Sequence, residues 1–232
     1  MRQVNKIKVI VLDFDNCIVL DPTTRRGSEE VKDQAWCKVF TEYDPEELEK
    51  VIAEAQEQIK GGKGDRRDIV RLVCKHFGIP EEKIPTEIEY RCEAFNAIVQ
   101  VGILQIGVSP ENRQAIKILS GKMPVYINTA TPKEQSLESL AALELGGFKD
   151  VYGRPGNKVE NLKTIIERES IDPSKILYVG DSENDWQAAQ AVGCRFIGVQ
   201  TARNTAWQGK QQEFPVIHSL AEILELEAWE TK

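Results

Sequence analysis

The chain has 232 residues, 41% of them hydrophobic and 29% charged, a composition that allows one good core and a small second domain. Its net charge of −7 argues against a nucleic-acid partner or an anionic membrane surface. Five scattered cysteines without a C-x-x-C pair indicate reduced thiols, not a zinc site or a disulfide framework. The start has no signal-peptide pattern and no stretch reaches transmembrane length, so we expect a cytoplasmic monomer or homodimer.

The first predicted element is a strand that ends in two aspartates. Residues 7–12 form an apolar run typical of a buried parallel strand, and Asp13 and Asp15 follow it. These carboxylates project the same way, at the edge where open parallel sheets bind ligands. Their mutual repulsion calls for a metal ion, a catalytic pair, or both. A solvated turn with a capping aspartate is the alternative.

A helical block follows the first strand. Because that strand lacks an ordinary crossover helix, we interpret the block as an insertion. Its basic loop, residues 61–67, offers Lys63, Arg66 and Arg67 to an anionic substrate. Arg25 and Arg26 near the first linker are similar candidates. A solvated hinge loop is the alternative for the basic loop. The helical periodicity predicts amphipathic helices over residues 31–40, 45–60, 65–77 and 87–107.

From residue 110 onward the pattern alternates between strand and helix. Such alternation predicts a parallel, doubly wound sheet with right-handed crossovers. The predicted strands cover residues 124–128, 150–153, 175–179 and 195–199, and the predicted helices cover residues 132–145, 157–169, 183–192 and 220–229.

A second acidic signal lies in the segment G-D-S-E-N-D, after the predicted strand 175–179. Asp181 opens the loop into a helix, and Asp185 lies one helical turn further on. With Asp13 and Asp15 they would form an acidic cluster at one sheet edge. Mg²⁺ prefers such oxygen ligands, only some of them carboxylates. The alternative is a helix cap at Asp181 and a surface acid at Asp185.

Two further strand ends supply what a phosphate needs. Thr129 precedes a helix at Pro132, and a hydroxyl with free N–H groups at a helix N-terminus forms an anion site. An ordinary N-cap at Thr129 or Thr131 is the alternative. Lys158 lies at a helix start, where the helix dipole disfavours a cation, so an anionic partner is indicated.

Four segments, D-F-D-N-C, I-N-T-A, N-K-V-E-N-L and V-G-D-S-E-N-D, resemble the motifs of the haloacid dehalogenase-like superfamily, in the family's order. The likeness is to phosphoglycolate phosphatase-like members with a helical C1-type cap. It implies a Rossmann-like α/β catalytic core over residues 1–20 and 108–232, with an inserted all-helical cap domain over residues 21–107.

The resemblance also implies roles for individual residues. Asp13 would be the nucleophile that forms an aspartyl-phosphate, and Asp15 the general acid and then the base. Thr129 and Lys158 would bind the phosphoryl group. Mg²⁺ would be bound by Asp13, by Asp181 and by the backbone carbonyl of Asp15, with Asp185 assisting through water.

The sequence therefore predicts a Mg²⁺-dependent phosphatase for a small phosphorylated metabolite. A sugar-phosphate mutase of the same superfamily and a non-catalytic binding relative are the alternatives. Asn16 and Cys17 stand where most relatives have glycine, then threonine or valine. Asparagine is the best non-glycine residue for left-handed geometry, and we expect Cys17 to be a small buried side chain.

Overall fold

The computed structural model describes residues 6–59, 64–203, 207 and 213–225. It divides into two compact units, one of Met1–Ser28 with Leu104–Lys232, the other of Glu29–Ile103. The described strands all belong to the first unit, and the described elements of the second are helices. The sequence places domain boundaries after residue 20 and before residue 108. The roles of catalytic core and cap domain stay predictions.

The first unit is built on one sheet, in which every neighbouring pair of strands is parallel. The strands are β1 Val9–Leu12, β2 Val125–Pro132, β3 Asp150–Arg154, β4 Ile176–Gly180, β5 Arg195–Val199 and β6 Val216–Ile217. Their order is β3-β2-β1-β4-β5-β6, so β1 is an interior strand with β2 on one side and β4 on the other. This arrangement confirms the predicted Rossmann-like α/β fold.

Helices connect the strands of the first unit and make up the second. They are α1 Ser28–Val39, α2 Pro45–Ile59, α3 Arg66–His76, α4 Ile84–Ile106, α5 Pro110–Lys122, α6 Lys133–Ala142, α7 Lys158–Glu169 and α8 Glu183–Val192. The predicted helix over residues 220–229 is wrong in type. A 3₁₀ helix covers Leu220–Leu224, Glu225 is a turn residue, and the rest of the predicted range lies outside the described residues.

Burial on both faces of the sheet explains why β1 is an unbroken run of apolar residues. Val9 and Val11 pack with Tyr126 and Tyr178 of the neighbouring strands in one buried cluster that includes residues of α7 and α8. Because side chains alternate along a strand, Ile10 and Leu12 project to the opposite face, and they are buried as well. A strand covered on both faces cannot alternate apolar and polar residues.

The second unit has its own aromatic interior. Trp36 of α1 contacts Phe95 of α4, with ring centroids 4.3 Å apart. The guanidinium of Arg91 lies 4.3 Å from the Phe40 ring centroid and donates to the Val39 carbonyl at 2.6 Å. This buried cation is paired with two carboxylates, as burial of a charge requires.

Within the described residues, no single helix combines the length and the apolar composition needed to cross a membrane. The successive helices α4 and α5 meet that test only when they are joined across their break.

Candidate active site

Asp13 leaves β1 directly into the site. Its backbone N–H donates to the Val179 carbonyl at 2.9 Å, which extends the pairing of β1 with β4 by one residue. The Asp13 side chain is almost fully buried. The structure therefore fixes this carboxylate at the carboxyl edge of the sheet, between the ends of two strands.

The chain turns sharply after Asp15. Asn16 has a φ of 56°, the left-handed conformation that asparagine tolerates. Gly27 packs against this turn, and a Cβ atom on it would lie 2.2 Å from Asn16 Oδ1 and 2.7 Å from the Val19 carbonyl oxygen. Cys17 is buried, and burial raises the pKa of its thiol well above the ordinary value. The burial confirms the prediction that Cys17 is a small buried side chain.

The Asp15 carboxylate is held at both oxygens. Ser28 donates its hydroxyl to Asp15 Oδ1 at 2.6 Å, and Thr131 donates its hydroxyl to Asp15 Oδ2 at 2.8 Å. Asp15 is 7% exposed and Ser28 is fully buried. Neither contact was predicted from the sequence.

Asp185 lies deepest of the acidic residues and accepts hydrogen bonds at both oxygens. Its Oδ1 accepts from Lys158 Nζ at 2.6 Å and from the Tyr178 hydroxyl at 2.6 Å. Its Oδ2 accepts from the backbone N–H of Ser182 at 3.1 Å and from the Ser182 hydroxyl. A carboxylate offers about four lone-pair directions, so protein donors occupy this one nearly completely.

Close packing at the end of β4 brings Asp185 to this position. A Cβ atom on Gly180 would lie 2.4 Å from Asp185 Cγ. Ser182 caps α8 and exchanges hydrogen bonds with Asp185 in a capping box. The glycine of the G-D-S-E-N-D motif is thus required for the approach of the first turn of α8 to the strand.

Lys158 bridges two of the acids. Its Nζ lies 3.0 Å from Asp13 Oδ1, besides its contact with Asp185, and the side chain is 7% exposed. Burial alone lowers the pKa of Lys158, but the charges of Asp13 and Asp185 outweigh burial and hold that pKa above its ordinary value. The lysine at this helix start is therefore a protonated partner of carboxylates. This accounts for a residue that the helix dipole disfavours.

Asparagines tie the strand β2 to the start of α7. Asn128 donates to the Lys158 carbonyl at 3.0 Å and accepts from the Asn161 amide at 3.0 Å. The neighbouring Thr129 is fully buried, and its hydroxyl oxygen accepts from the Thr131 N–H at 3.1 Å. Phosphate binding by Thr129 stays a prediction. A polar residue inside an apolar strand is the sequence signal that marks Asn128.

The acidic cluster fits a divalent cation. Ligand oxygens of Asp13, Asp181 and Asp185 all lie within 4.8 Å of one another. Burial, opposed by Lys158 and reinforced by the other acids, holds the pKa of Asp13 well above its ordinary value. A cation beside Asp13 would favour its charged form, and oxygen ligands suit Mg²⁺. Because protein donors already occupy both oxygens of Asp185, its carboxylate has little room for a direct bond to a metal.

The predicted specificity residues of the second unit have partners inside that unit. The Arg66 guanidinium lies 4.2 Å from the Phe95 ring centroid and donates to Asn96. Arg67 forms an exposed ion pair with Glu89. Lys63 lies outside the described residues. In the first unit, Arg25 donates to the backbone carbonyls of Gln200 and His218, which gives it a structural role.

Comparison with known proteins gives a family match and a partial relative. The sequence profile of the family described as haloacid dehalogenase-like hydrolase matches residues 7–193. A phosphoglycolate phosphatase of Escherichia coli K12 is 36% identical over 90 residues, which cover 35% of each chain. The match thus spans about a third of that relative's length.

Solved structures share the architecture over nearly the whole chain. A Thermotoga maritima protein named as a candidate beta-phosphoglucomutase has a TM-score of 0.71 at 18% identity and covers 97% of this chain and 100% of its own. A 2-haloacid dehalogenase of Pseudomonas syringae has a TM-score of 0.65 at 19% identity, with 96% and 98% covered. Their names describe different reactions, so the shared fold does not select one.

Proposed function

Because this chain belongs to the haloacid dehalogenase-like hydrolase family, we propose that it is a Mg²⁺-dependent phosphatase that acts on a small phosphomonoester through an aspartyl-phosphate. One observation carries this proposal. Asp13, a buried carboxylate at the sheet edge, contacts protonated Lys158, and a second carboxylate, Asp15, lies two residues on. Carboxylates serve as covalent nucleophiles in phosphoryl transfer.

The second carboxylate favours phosphoryl transfer over dehalogenation. The leaving group of an alkyl phosphate ester is an alkoxide, which needs a proton, whereas a halide leaves without one. Asp15, two residues after the nucleophile in the chain, would be that proton donor. General acid catalysis of this kind typically contributes about 10²–10⁴-fold to a rate.

The reaction would proceed in two displacements. In the first, an Asp13 oxygen attacks phosphorus and the bond to the leaving oxygen breaks, while Asp15 gives that oxygen its proton. In the second, water attacks phosphorus, Asp15 takes a proton from the water, and the bond to Asp13 breaks to release inorganic phosphate. Lys158 offsets negative charge on Asp13 and on the phosphoryl group throughout.

The metal would be held by Asp13, Asp181 and the backbone carbonyl of Asp15, with Asp185 behind a water molecule. When bound, Mg²⁺ neutralises phosphate charge and orients the phosphoryl group. Thr129 completes the proposed phosphate site. The Lys158 contacts with Asp13 and Asp185 support this arrangement, because one cation alone leaves the cluster with excess negative charge.

The partial relative suggests which substrates to test first. The phosphoglycolate phosphatase of E. coli makes phosphoglycolate the first compound to test. All five cysteines are unpaired, which suits a reducing compartment such as the cytoplasm. We propose a small phosphorylated metabolite as substrate, and Lys63, Arg66 and Arg67 as candidate specificity residues.

The test is phosphate release from a metabolite panel with Mg²⁺, for the parent and for Asp13→Asn. We expect the substitution to lower turnover at least about a thousandfold while the fold survives. Asp172→Asn is the matched control, because Asp172 only caps a 3₁₀ helix and asparagine can cap it too. Activity within about tenfold of the parent would contradict the role of Asp13. Isomerisation of a sugar phosphate without phosphate release would instead indicate a mutase.

A further inference from the structure

The two hydroxyls on Asp15 are not explained by the roles described so far. We propose that Thr131 and Ser28 are positioning residues that hold the Asp15 carboxyl plane for proton transfer to the leaving oxygen. Ser28 donates to Oδ1 at 2.6 Å and Thr131 to Oδ2 at 2.8 Å. This inference rests on the proposed function, in which Asp15 is the general acid.

Two donors at different oxygens restrict a carboxyl group more than one donor does. With a single hydrogen bond, the group can rotate about that contact and keep it. With one donor on each oxygen, rotation about the last side-chain bond breaks both contacts together.

Local structure places Ser28 for this contact. Asn16 turns the chain in a left-handed conformation, and Leu20 pairs with Gly27 in an antiparallel bridge that closes the loop. Gly27 lacks a side chain where any Cβ atom would collide with Asn16. The residue after Gly27 is Ser28, which is fully buried and whose hydroxyl reaches back to Asp15.

Thr131 is placed by an irregularity in the sheet. The pairing of β2 with β3 shifts register between Asn128 and Pro132, and such bulges redirect side chains next to active sites. The carbonyl of Thr131 packs against Gly153, where a Cβ atom would lie only 2.3 Å away. The close approach of Thr131 to β3, from which its hydroxyl projects toward Asp15, therefore requires glycine at position 153.

The arrangement has a consequence that depends on the leaving group. A nitrophenolate leaves readily without a proton, whereas an alkoxide depends on the general acid. A misplaced Asp15 should therefore slow the first displacement, which kcat/KM reports, far more for an alkyl phosphate than for p-nitrophenyl phosphate. A purely structural role for the hydroxyls would slow both reactions alike.

The experiment compares Thr131→Val, Thr131→Ser and Ser28→Ala on p-nitrophenyl phosphate and on the alkyl ester that the parent hydrolyses fastest. We expect Thr131→Val and Ser28→Ala to lower kcat/KM, which reports the first displacement, on the alkyl ester about tenfold more than on p-nitrophenyl phosphate, a part of the usual general-acid contribution. Thr131→Ser keeps the hydroxyl and should keep the parent's ratio. Ser139→Ala is the matched control, since its hydroxyl donates to the Gln135 carbonyl at 2.9 Å on α6.

Equal losses on both esters, or no loss on either, would overturn the positioning role. A crystal structure of Thr131→Val tests it without turnover. We expect the Asp15 carboxyl in more than one orientation there, and one unchanged orientation would overturn the proposal. Failure of the phosphatase assignment would show separately, as an inactive parent or an active Asp13→Asn enzyme.

Discussion

Asp185, which was predicted to assist a metal through water, has both carboxylate oxygens occupied by protein donors. Lys158, Tyr178 and Ser182 donate to it, and it is fully buried. Its negative charge is thereby used to hold Lys158 next to Asp13. Removing one partner of such a buried pair typically costs about 3–5 kcal/mol, because the other charge is left uncompensated.

Asp181 is the acid whose change should affect metal binding most directly. It is only partly buried and belongs to the oxygen cluster with Asp13 and Asp185. We expect Asp181→Ala to weaken Mg²⁺ binding at least about tenfold in calorimetric titration, because even the loss of a residue that only supports a metal ligand typically lowers affinity about tenfold or more. Activity should vanish with excess chelator, and Ca²⁺ should replace Mg²⁺ poorly because its shell is larger and looser. Asp172→Asn serves again as control, and full activity in chelator would refute the metal role.

The sequence predicted the acids and the lysine because each follows an apolar strand or starts a helix. Asp13 and Asp181 are of this kind, and the parallel sheet brings them together. The hydroxyls on Asp15 were not predictable. Their partners depend on a left-handed turn at Asn16 and a register shift in β2, which have no sequence period. Tyr178 carried a partial signal, since a buried tyrosine hydroxyl usually has a partner.

At the level of elements, the contact between β4 and α8 depends on Gly180. A methyl group there would overlap Asp185, whose oxygens have donors on every side. We expect Gly180→Ala to lower the free energy of unfolding by about 1–3 kcal/mol, the usual cost of overpacking, as measured by urea denaturation. Gly121→Ala is the control. It lies in α5 with open space around it, so alanine should be neutral or stabilising there. Equal stability of the two variants would contradict this account.

Arg66 and Arg67 of α3 contact residues of α4, so each could contribute to stability, to substrate specificity, or to both. Arg66 stacks on Phe95 and bonds Asn96, so we expect Arg66→Ala to lower the unfolding free energy by about 0.5–1 kcal/mol. Arg67→Ala should change stability little, because its ion pair is exposed. If either arginine meets an anionic leaving group, its loss should reduce kcat/KM on that ester and spare p-nitrophenyl phosphate. Equal reduction on both esters would contradict the specificity role.

Element boundaries were predictable where caps are strong. The predicted start of α7 agrees because Asn157 and Glu160 form a capping box, and the end of α8 agrees because Gly193 adopts a left-handed conformation. The strand β6 was not predicted, since two residues carry no alternation. The 3₁₀ form of Leu220–Leu224 was missed because apolar spacing of three and of four residues looks alike over so short a segment.

At the scale of the whole molecule, all predicted metal ligands belong to the first unit. A ligand stabilises only the structure that holds its site, by about 2.7 kcal/mol at a concentration of one hundred times Kd. We therefore expect Mg²⁺ to slow hydrogen exchange in β1 and β4 and to leave α2 and α3 unchanged. Asp181→Ala should abolish the effect. Equal protection of both units would show that they unfold as one.

The interior position of β1 in the sheet also affects folding during synthesis. Its partners in β4 begin at Ile176, so at about 5–20 residues per second a nascent chain waits roughly ten to thirty seconds for them. Until then the β4-facing edge of the uncharged segment Val9–Leu12 has no native partner, and an unpaired apolar strand edge favours aggregation. Lys8 and Asp13 flank it as charged gatekeepers. We expect Asp13→Leu to scatter more light during refolding than Asp13→Ser, and equal scattering would refute this. The charge of Asp13, the proposed nucleophile, would then also limit aggregation of the chain before it has folded.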